Sequence, residues 1–363
     1  METILKEQER VAFALRALYR SYGYLPYKMN KFEPYDLYAS NKDFLVGDGV
    51  ITFNDTDGKL LALKPDVTLS IIRNGNDEGG TQKVFYNENV YRISGETKQF
   101  KEIMQSGLEC VGNIGIYETF ETLYLAASSL DKISHSFVLD VSHVGILSTL
   151  FKSLSLGDTF NAKATACLAG KNLHGLRSLC EAYCVADKDA EKLYAVTNAY
   201  GPLDSALEKL APLFESGESE TAFKEFSTVC TLLKNTEYAD KFRIDFSVVN
   251  DMAYYNGIVF QGFVEGIPEG VLSGGRYDNL VKRMGRNSGA IGFAVYLDLL
   301  DGFKKTRTAH DVDVLVLYDN ETETGTLVKN VQTLVAQGKS VSVQTEKNKL
   351  RYRELLDLTG GEK

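Results

Sequence analysis

Apolar residues near the start fall at Ile4, Leu5, Val11, Leu15, Leu18 and Tyr19, a spacing that predicts an amphipathic helix ended by Gly23. Pro34 punctuates the next stretch, YKMNKFEPYDLYA. Strand-like runs at 49–53 and 59–63 flank NDTDG, which is hairpin chemistry. Residues 83–91 and 105–112 read as strands around a polar loop, 118–130 as a helix and 137–141 as a strand. From 145 to 236 Leu, Ala, Lys and Glu recur with helical period, which predicts a helical insertion. Strand character returns at 241–249, 257–263 and 289–294, and 295–304 reads as a closing helix. After KKTRTAH, the run DVDVLVLYD, a helix near 325–337 and a strand near 340–344 predict a parallel β-α-β unit. The order is that of an α+β chain in four pieces: a core begun over 1–144, the insertion at 145–236, the core resumed over 237–305, and a small α/β segment at 311–363.

Composition narrows the classes. The 363 residues are 44% hydrophobic and 25% charged, enough for a sizeable core. A net charge of -9 repels a phosphate backbone, so general nucleic-acid binding is disfavoured. No apolar run is long enough for a membrane span, and METILKEQERVAF lacks the apolar centre of a signal peptide; a cytoplasmic protein is expected. The five cysteines are odd in number and include no C-x-x-C pair, so reduced core thiols are expected, with Cys180 and Cys184 on one helix face. The four histidines form no H-x-x-x-H or H-E-x-x-H pattern, and no metal site is expected. Neither G-x-S-x-G, G-x-G-x-x-G nor a P-loop occurs, and no cofactor is expected.

Four segments carry polar groups where strands should be apolar. In LALKPDVTLSIIR, Asp66 sits before a helix, where it can cap that helix or accept a ligand's ammonium group. In YRISGETKQFKEIMQSGLECVG, Gln105 and Glu109 are four apart on one strand and face the same way, with Arg92 at the end of the strand before. That polar face is costly in a dry core and cheap if it lines a pocket. In FSVVNDMAYYNGIVFQGF, Tyr254 and Tyr255 lead into a strand, as packing residues or as walls of a site. In LSGGRYDNLVKRMGRNSGAIGFAVYLDLL, Gly274 and Gly275 allow close backbone approach, and Arg276 and Asp278 open a helix.

In order and spacing these segments resemble the catalytic core of histidyl-tRNA synthetase, a class II aminoacyl-tRNA synthetase, over residues 5 to 305. The matching stretches are L-x-P-[ED]-x-T, an arginine followed by Q-x-G-x-E, Y-Y-x-G-x-x-F and G-G-R-Y-D-x-L. The resemblance implies an antiparallel sheet flanked by helices, with a helical insertion. It also implies an amino-acid pocket built from Asp66, Thr68, Arg92, Gln105, Glu109, Tyr254 and Tyr255. Gly274, Gly275, Arg276 and Asp278 stand either as structural motif residues or as ligand contacts.

The departures bear on function. The family reads R-G-L-D-Y-Y where this chain has Asn250-Asp251-Met252-Ala253-Tyr254-Tyr255. Its G-F-x-x-G-x-E-R becomes Gly292-Phe293-Ala294-Val295-Tyr296-Leu297-Asp298-Leu299. Asn250 and Leu299 thus replace arginines that the family uses on ATP, and Tyr296 replaces a glycine that leaves room for the nucleotide. Losing one preorganised cation costs about 3–4 kcal/mol of transition-state stabilisation, by analogy with an oxyanion-hole donor. Adenylation is therefore expected to be lost while histidine binding is kept.

That division is similar to the regulatory subunits of ATP phosphoribosyltransferase, synthetase paralogues of histidine biosynthesis. The resemblance implies a non-catalytic chain that activates a short-form catalytic subunit and confers feedback inhibition by L-histidine. It implies a homodimer within a hetero-oligomer, and neither tRNA nor a membrane is expected as a partner. An active or degenerate histidyl-tRNA synthetase, and a stand-alone histidine or tRNA sensor, are the alternatives.

Overall fold

The computed structural model describes residues 5–41, 49–75, 80–94, 97–214, 219–249, 254–301, 303 and 310–360. Val11, Leu15 and Tyr19 lie buried at four-residue spacing, and α1 (Glu7–Ser21) lays that stripe on the core. Gly23, at φ +80°, turns the chain out of it. β1 (Leu25–Pro26), β2 (Phe32–Pro34) and α2 (Tyr35–Ala39) follow. NDTDG makes the expected hairpin between β3 (Thr52–Asn54) and β4 (Leu60–Leu63), where Asp55 Oδ1 accepts from the N–H groups of Asp57 and Lys59. β2, β4 and β3 form a small antiparallel sheet, and α3 (Thr68–Asn74) comes next.

β5 (Gln82–Ile93) and β6 (Phe100–Gly112) are long antiparallel partners. After α4 (Ile116–Asp131) and β7 (Phe137–His143) come α5 (Val144–Leu154), α6 (Asp158–Ala169), α7 (Leu173–Ala182) and α8 (Asp187–Asn198). β8 (Tyr200–Pro202), α9 (Leu203–Phe214) and α10 (Glu220–Leu233) lead to β9 (Phe242–Asp245) and β10 (Ile258–Val264). β11 (Leu272–Arg276), α11 (Asp278–Arg283) and β12 (Gly289–Tyr296) complete the sheet. Its order is β1-β5-β6-β12-β11-β10-β7-β9-β8. All pairs are antiparallel except β1 with β5 and β7 with β9.

Strand alternation gives this sheet two unlike faces. On β6, Leu108 and Cys110 join α1 and α4 in one apolar cluster, which runs on through β7 and β9 to Leu147 of α5 and Phe226 of α10. Gln105 and Glu109, on the other side of the same strand, look into a cavity.

Three local expectations are corrected. Residues 295 and 296 belong to β12, where Tyr296 pairs with Gln105 and its N–H donates to Val271 O; only a single 3-10 turn, Leu297–Leu300, follows instead of a helix. Arg276 ends β11 rather than opening a helix, because Gly274 and Gly275 are strand residues packed between β10 and β12. Cys184 is not on a helix face with Cys180: α7 stops at Ala182, and Cys184 is exposed at φ +52°.

Residues 304–363 form a second unit. Its β13 (Val312–Leu317), α12 (Thr324–Ala336) and β14 (Val341–Gln344) make a parallel β-α-β. β15 (Tyr352–Asp357) adds a further parallel strand on the other side of β13.

Candidate functional site

Asp66, Thr68, Arg92, Gln105, Glu109, Tyr254 and Tyr255 line one cavity of about 320 Å³ on the open face of the nine-stranded sheet. Each is placed by its element. Asp66 stands two residues ahead of α3, and its Oδ1 accepts from the Leu69 N–H at 2.8 Å while the residue lines the cavity. Thr68 opens α3 and points its hydroxyl at Glu109 Oε1, 2.8 Å away. Arg92, near the end of β5, donates from Nε to Pro65 O at 2.9 Å. Tyr254 and Tyr255 pack edge to face at 4.7 Å, and Tyr254 leans on Tyr277 at 5.6 Å.

Glu109 is the most enclosed acid of the set, 2% exposed. Its carboxyl accepts from Thr68 and, through Oε2, from the Tyr277 hydroxyl. Burial pushes its pKa up from 4.5 to about 8, against the pull of those two hydroxyls. Gly292 on β12 faces it in register, and a side chain there would overlap Glu109 Oε2 and the Leu108 carbonyl. Burial also raises Asp66, opposed by the Leu69 N–H and by the Arg92 guanidinium. The floor therefore holds two acids and one arginine, framed by phenols and an amide. Such a set fits a small ligand that carries both charges and several donors.

Other motif residues stand elsewhere. Gly274 lines the cavity, but Gly275, Arg276 and Asp278 do not. Arg276 Nε donates to Asp278 Oδ2 at 2.9 Å and its guanidinium reaches Glu225 of α10 at 3.1 Å. Asp278 also accepts from Asn256 Nδ2 and from the Ala290 N–H, tying β11, α11 and β12 together. Tyr296 lines the cavity with its hydroxyl 2.8 Å from Ser273 Oγ. Leu299 lies on the 3-10 turn, half-buried and outside the lining. Asn250 and Ala253 fall outside the described residues.

The sequence reading passed over Tyr86, Gln261, Ser273 and Tyr277, all of which line the cavity. Tyr277 sits inside the G-G-R-Y-D stretch, where the glycines and charges drew attention and the phenol did not. Gln261 and Ser273 become neighbours only through the pairing of β10 with β11, which no local pattern announces. Among the described residues no group of three or more His, Cys, Asp or Glu side chains is placed to hold a metal ion, and no helix is long and apolar enough to cross a membrane.

Comparison with known proteins places these features in a family context. The family model described as histidyl-tRNA synthetase matches residues 3–300. An ATP phosphoribosyltransferase regulatory subunit from Bacillus mycoides is 26% identical over 331 residues, covering 87% of this chain and 77% of that protein. A crystal structure described as an ATP phosphoribosyltransferase regulatory subunit/histidyl-tRNA synthetase from Bacillus halodurans superposes with TM-score 0.82 at 22% identity, over 98% of this chain and 94% of that one. A chain of the ATP phosphoribosyl transferase (HisG:HisZ) complex from Thermotoga maritima gives TM-score 0.62 at 17% identity, over 79% and 96%. The last two likenesses concern the fold, the class II synthetase sheet with its helices.

Proposed function

The chain belongs to the histidyl-tRNA synthetase family, and from that premise we propose that it is the non-catalytic regulatory subunit of an ATP phosphoribosyltransferase. In this reading it activates a short-form catalytic subunit and passes on feedback inhibition when L-histidine fills the cavity. One observation supports the reading: a single cavity is lined by acids, an arginine, an amide and phenols that suit an amino acid, and Tyr296 also lines it. Asp66, Thr68, Gln105 and Glu109 line it together, and Tyr296, bonded to Ser273 and paired in register with Gln105, stands on β12 where the family has glycine. Leu299 and Asn250 in place of arginines support the same loss of adenylation chemistry. The name carried by the Bacillus mycoides relative supports the assignment.

The amino acid's pose follows from charge. Arg92 takes the ligand carboxylate and Asp66 its ammonium, near the half-buried rim. The side chain enters towards Glu109, between Tyr254 and Tyr277. The chain dimerises through its synthetase-like N-terminal part and assembles with the catalytic subunit. A coupling of about 1–3 kcal/mol between the cavity and the partner suffices for useful feedback.

The test is phosphoribosyl-ATP formation by the matched short catalytic subunit, with and without this chain, across a histidine titration. Activation that histidine then suppresses is the expected result. No effect and no co-elution would overturn it. Histidine-dependent ATP–pyrophosphate exchange would return the chain to the active synthetases.

A further inference from the structure

The small sheet of the second unit runs β14-β13-β15, so β15 (Tyr352–Asp357) is an edge. The Leu358 N–H donates to Leu317 O at 2.8 Å, which turns residue 358 towards β13. Main-chain groups in a strand alternate in direction from one residue to the next. Residues 354 and 356 therefore face β13 as well, and Arg353, Leu355 and Asp357 direct their N–H and C=O groups outward. β13 obeys the same alternation: the Val314 and Tyr318 N–H groups donate to Ser340 and Gln344 on its other side. Arg353, Leu355 and Asp357 share one face of the strand, and all three are exposed, Leu355 by 38%.

Proteins usually blunt such an edge with proline, a bulge or a very short strand. β15 has neither proline nor glycine, and its register on β13 is constant from Tyr352 to Asp357, so no bulge breaks it. What the outward residues carry instead is one positive and one negative charge, placed symmetrically about a leucine. The opposite edge, β14 (Val341–Gln344), carries no charge at all.

We propose that β15 is a docking edge for β15 of a second copy of this chain, antiparallel about a two-fold axis at Leu355. Leu355 then meets its own equivalent, and Arg353 meets the partner's Asp357 on each side of the axis. Each of these pairs exchanges both of its N–H···O=C bonds, and the two three-stranded sheets become one. Asp357 commits Oδ1 to the Thr359 N–H and hydroxyl, which leaves Oδ2 for the arginine. The charges also fix the register. Moving the axis by one residue sets Arg353 or Asp357 against Leu355, and moving it by two sets arginine against arginine or acid against acid. Opposite charges placed directly across a sheet attract and like charges repel, so the same side chains that favour this pairing deter others. The contact lies wholly in the second unit and does not depend on what the cavity binds.

A cysteine at the axis tests the contact in the full chain. A Cys184→Ser background removes the exposed native thiol. In it, Leu355→Cys brings two sulfurs together across a hydrogen-bonded pair, where the Cα atoms stand about 5.5 Å apart, within disulfide range. Mild oxidation is expected to give a crosslinked dimer. Adding Arg353→Asp alone, or Asp357→Arg alone, sets like charges opposite and should slow crosslinking about tenfold or more. Mixing these two chains should restore it, because each strand then carries the charges that the other lacks. Both changes in one chain should restore it too, because that strand matches itself again. No crosslink from Leu355→Cys, or a rate that ignores both charge changes, would overturn the proposal. So would failure of both the mixture and the double exchange to recover the rate.

Discussion

Glu109 and Asp278 are both buried acids from motif stretches, and the protein treats them in opposite ways. Asp278 already has a cation and two further donors, from Arg276, Asn256 and the Ala290 N–H. Glu109 is met by two hydroxyls and then by open cavity. A matched charge holds elements together; an incompletely matched one waits for something. Both are carboxylates, so the difference lies in what the neighbouring elements bring alongside.

The largest effect is expected where the cavity acid meets the sheet. Gly292→Ala places a methyl group into Glu109 and the Leu108 carbonyl, in the middle of three paired strands. Overpacking of this kind costs about 3 kcal/mol or more when backbone is the obstacle. Urea unfolding should show that loss, and calorimetry should show histidine binding gone. Wild-type stability together with wild-type binding would mean that Glu109 is not held against β12.

Asp278→Ala should separate the two acids by function. It strands the Arg276 charge beside Glu225 alone and leaves the Ala290 N–H, in the middle of the fold, without its acceptor. The expected cost is about 2–3 kcal/mol of stability. Histidine affinity should stay within a few-fold, because Asp278 does not line the cavity. A hundredfold loss of affinity with normal stability would place it in the site after all.

Glu109→Gln is expected to act through pH. The folded chain raises this carboxyl from 4.5 to about 8, so between those values the folded state binds more protons than the unfolded one. Glu109 therefore burdens the fold increasingly as pH rises through that window, and the glutamine variant is spared. The variant's stability relative to wild type should grow by up to about 1.4 kcal/mol per pH unit, and unfolding at pH 5.5, 6.5 and 7.5 checks it. A constant difference across those points would show the carboxyl already ionised.

The contrast also marks what was legible in the chain. Period-2 and period-3.6 patterns locate most elements, because each strand or helix carries its own stripe: Val11, Leu15 and Tyr19 give α1, and NDTDG gives the β3–β4 hairpin. The spacing of Gln105 and Glu109 puts them on one face, since that follows from strand geometry alone. Hidden from the sequence were the features that need a neighbour. β11 went unread because its glycines look like a turn until β10 and β12 flank them. AVYLDLL is apolar enough for a closing helix, whereas Tyr296 is already committed to pairing with Gln105. Tyr277 gave no local sign of its bond to Glu109, 168 positions away in the chain.

The smallest expected effect tests Tyr296, the cross-strand partner of Gln105. Tyr296 bonds Ser273 across β11 and β12, and both side chains line the cavity. Tyr296→Phe keeps the ring and removes that bond, which should cost about 1 kcal/mol, since a half-buried hydroxyl can partly recover its bond from water. Histidine affinity should barely change, because the ring beside Gln105 is kept and only its hydroxyl is removed. On the proposed reading, in which the ring occupies the nucleotide's place, this variant should not bind ATP. Tyr296→Gly removes both bond and bulk, and equilibrium binding of ATP to the two variants then separates the two roles. Binding by the glycine variant alone would show that bulk excludes the nucleotide; binding by the phenylalanine variant would show that the Ser273 latch does; binding by neither would leave the missing arginines as the sufficient cause.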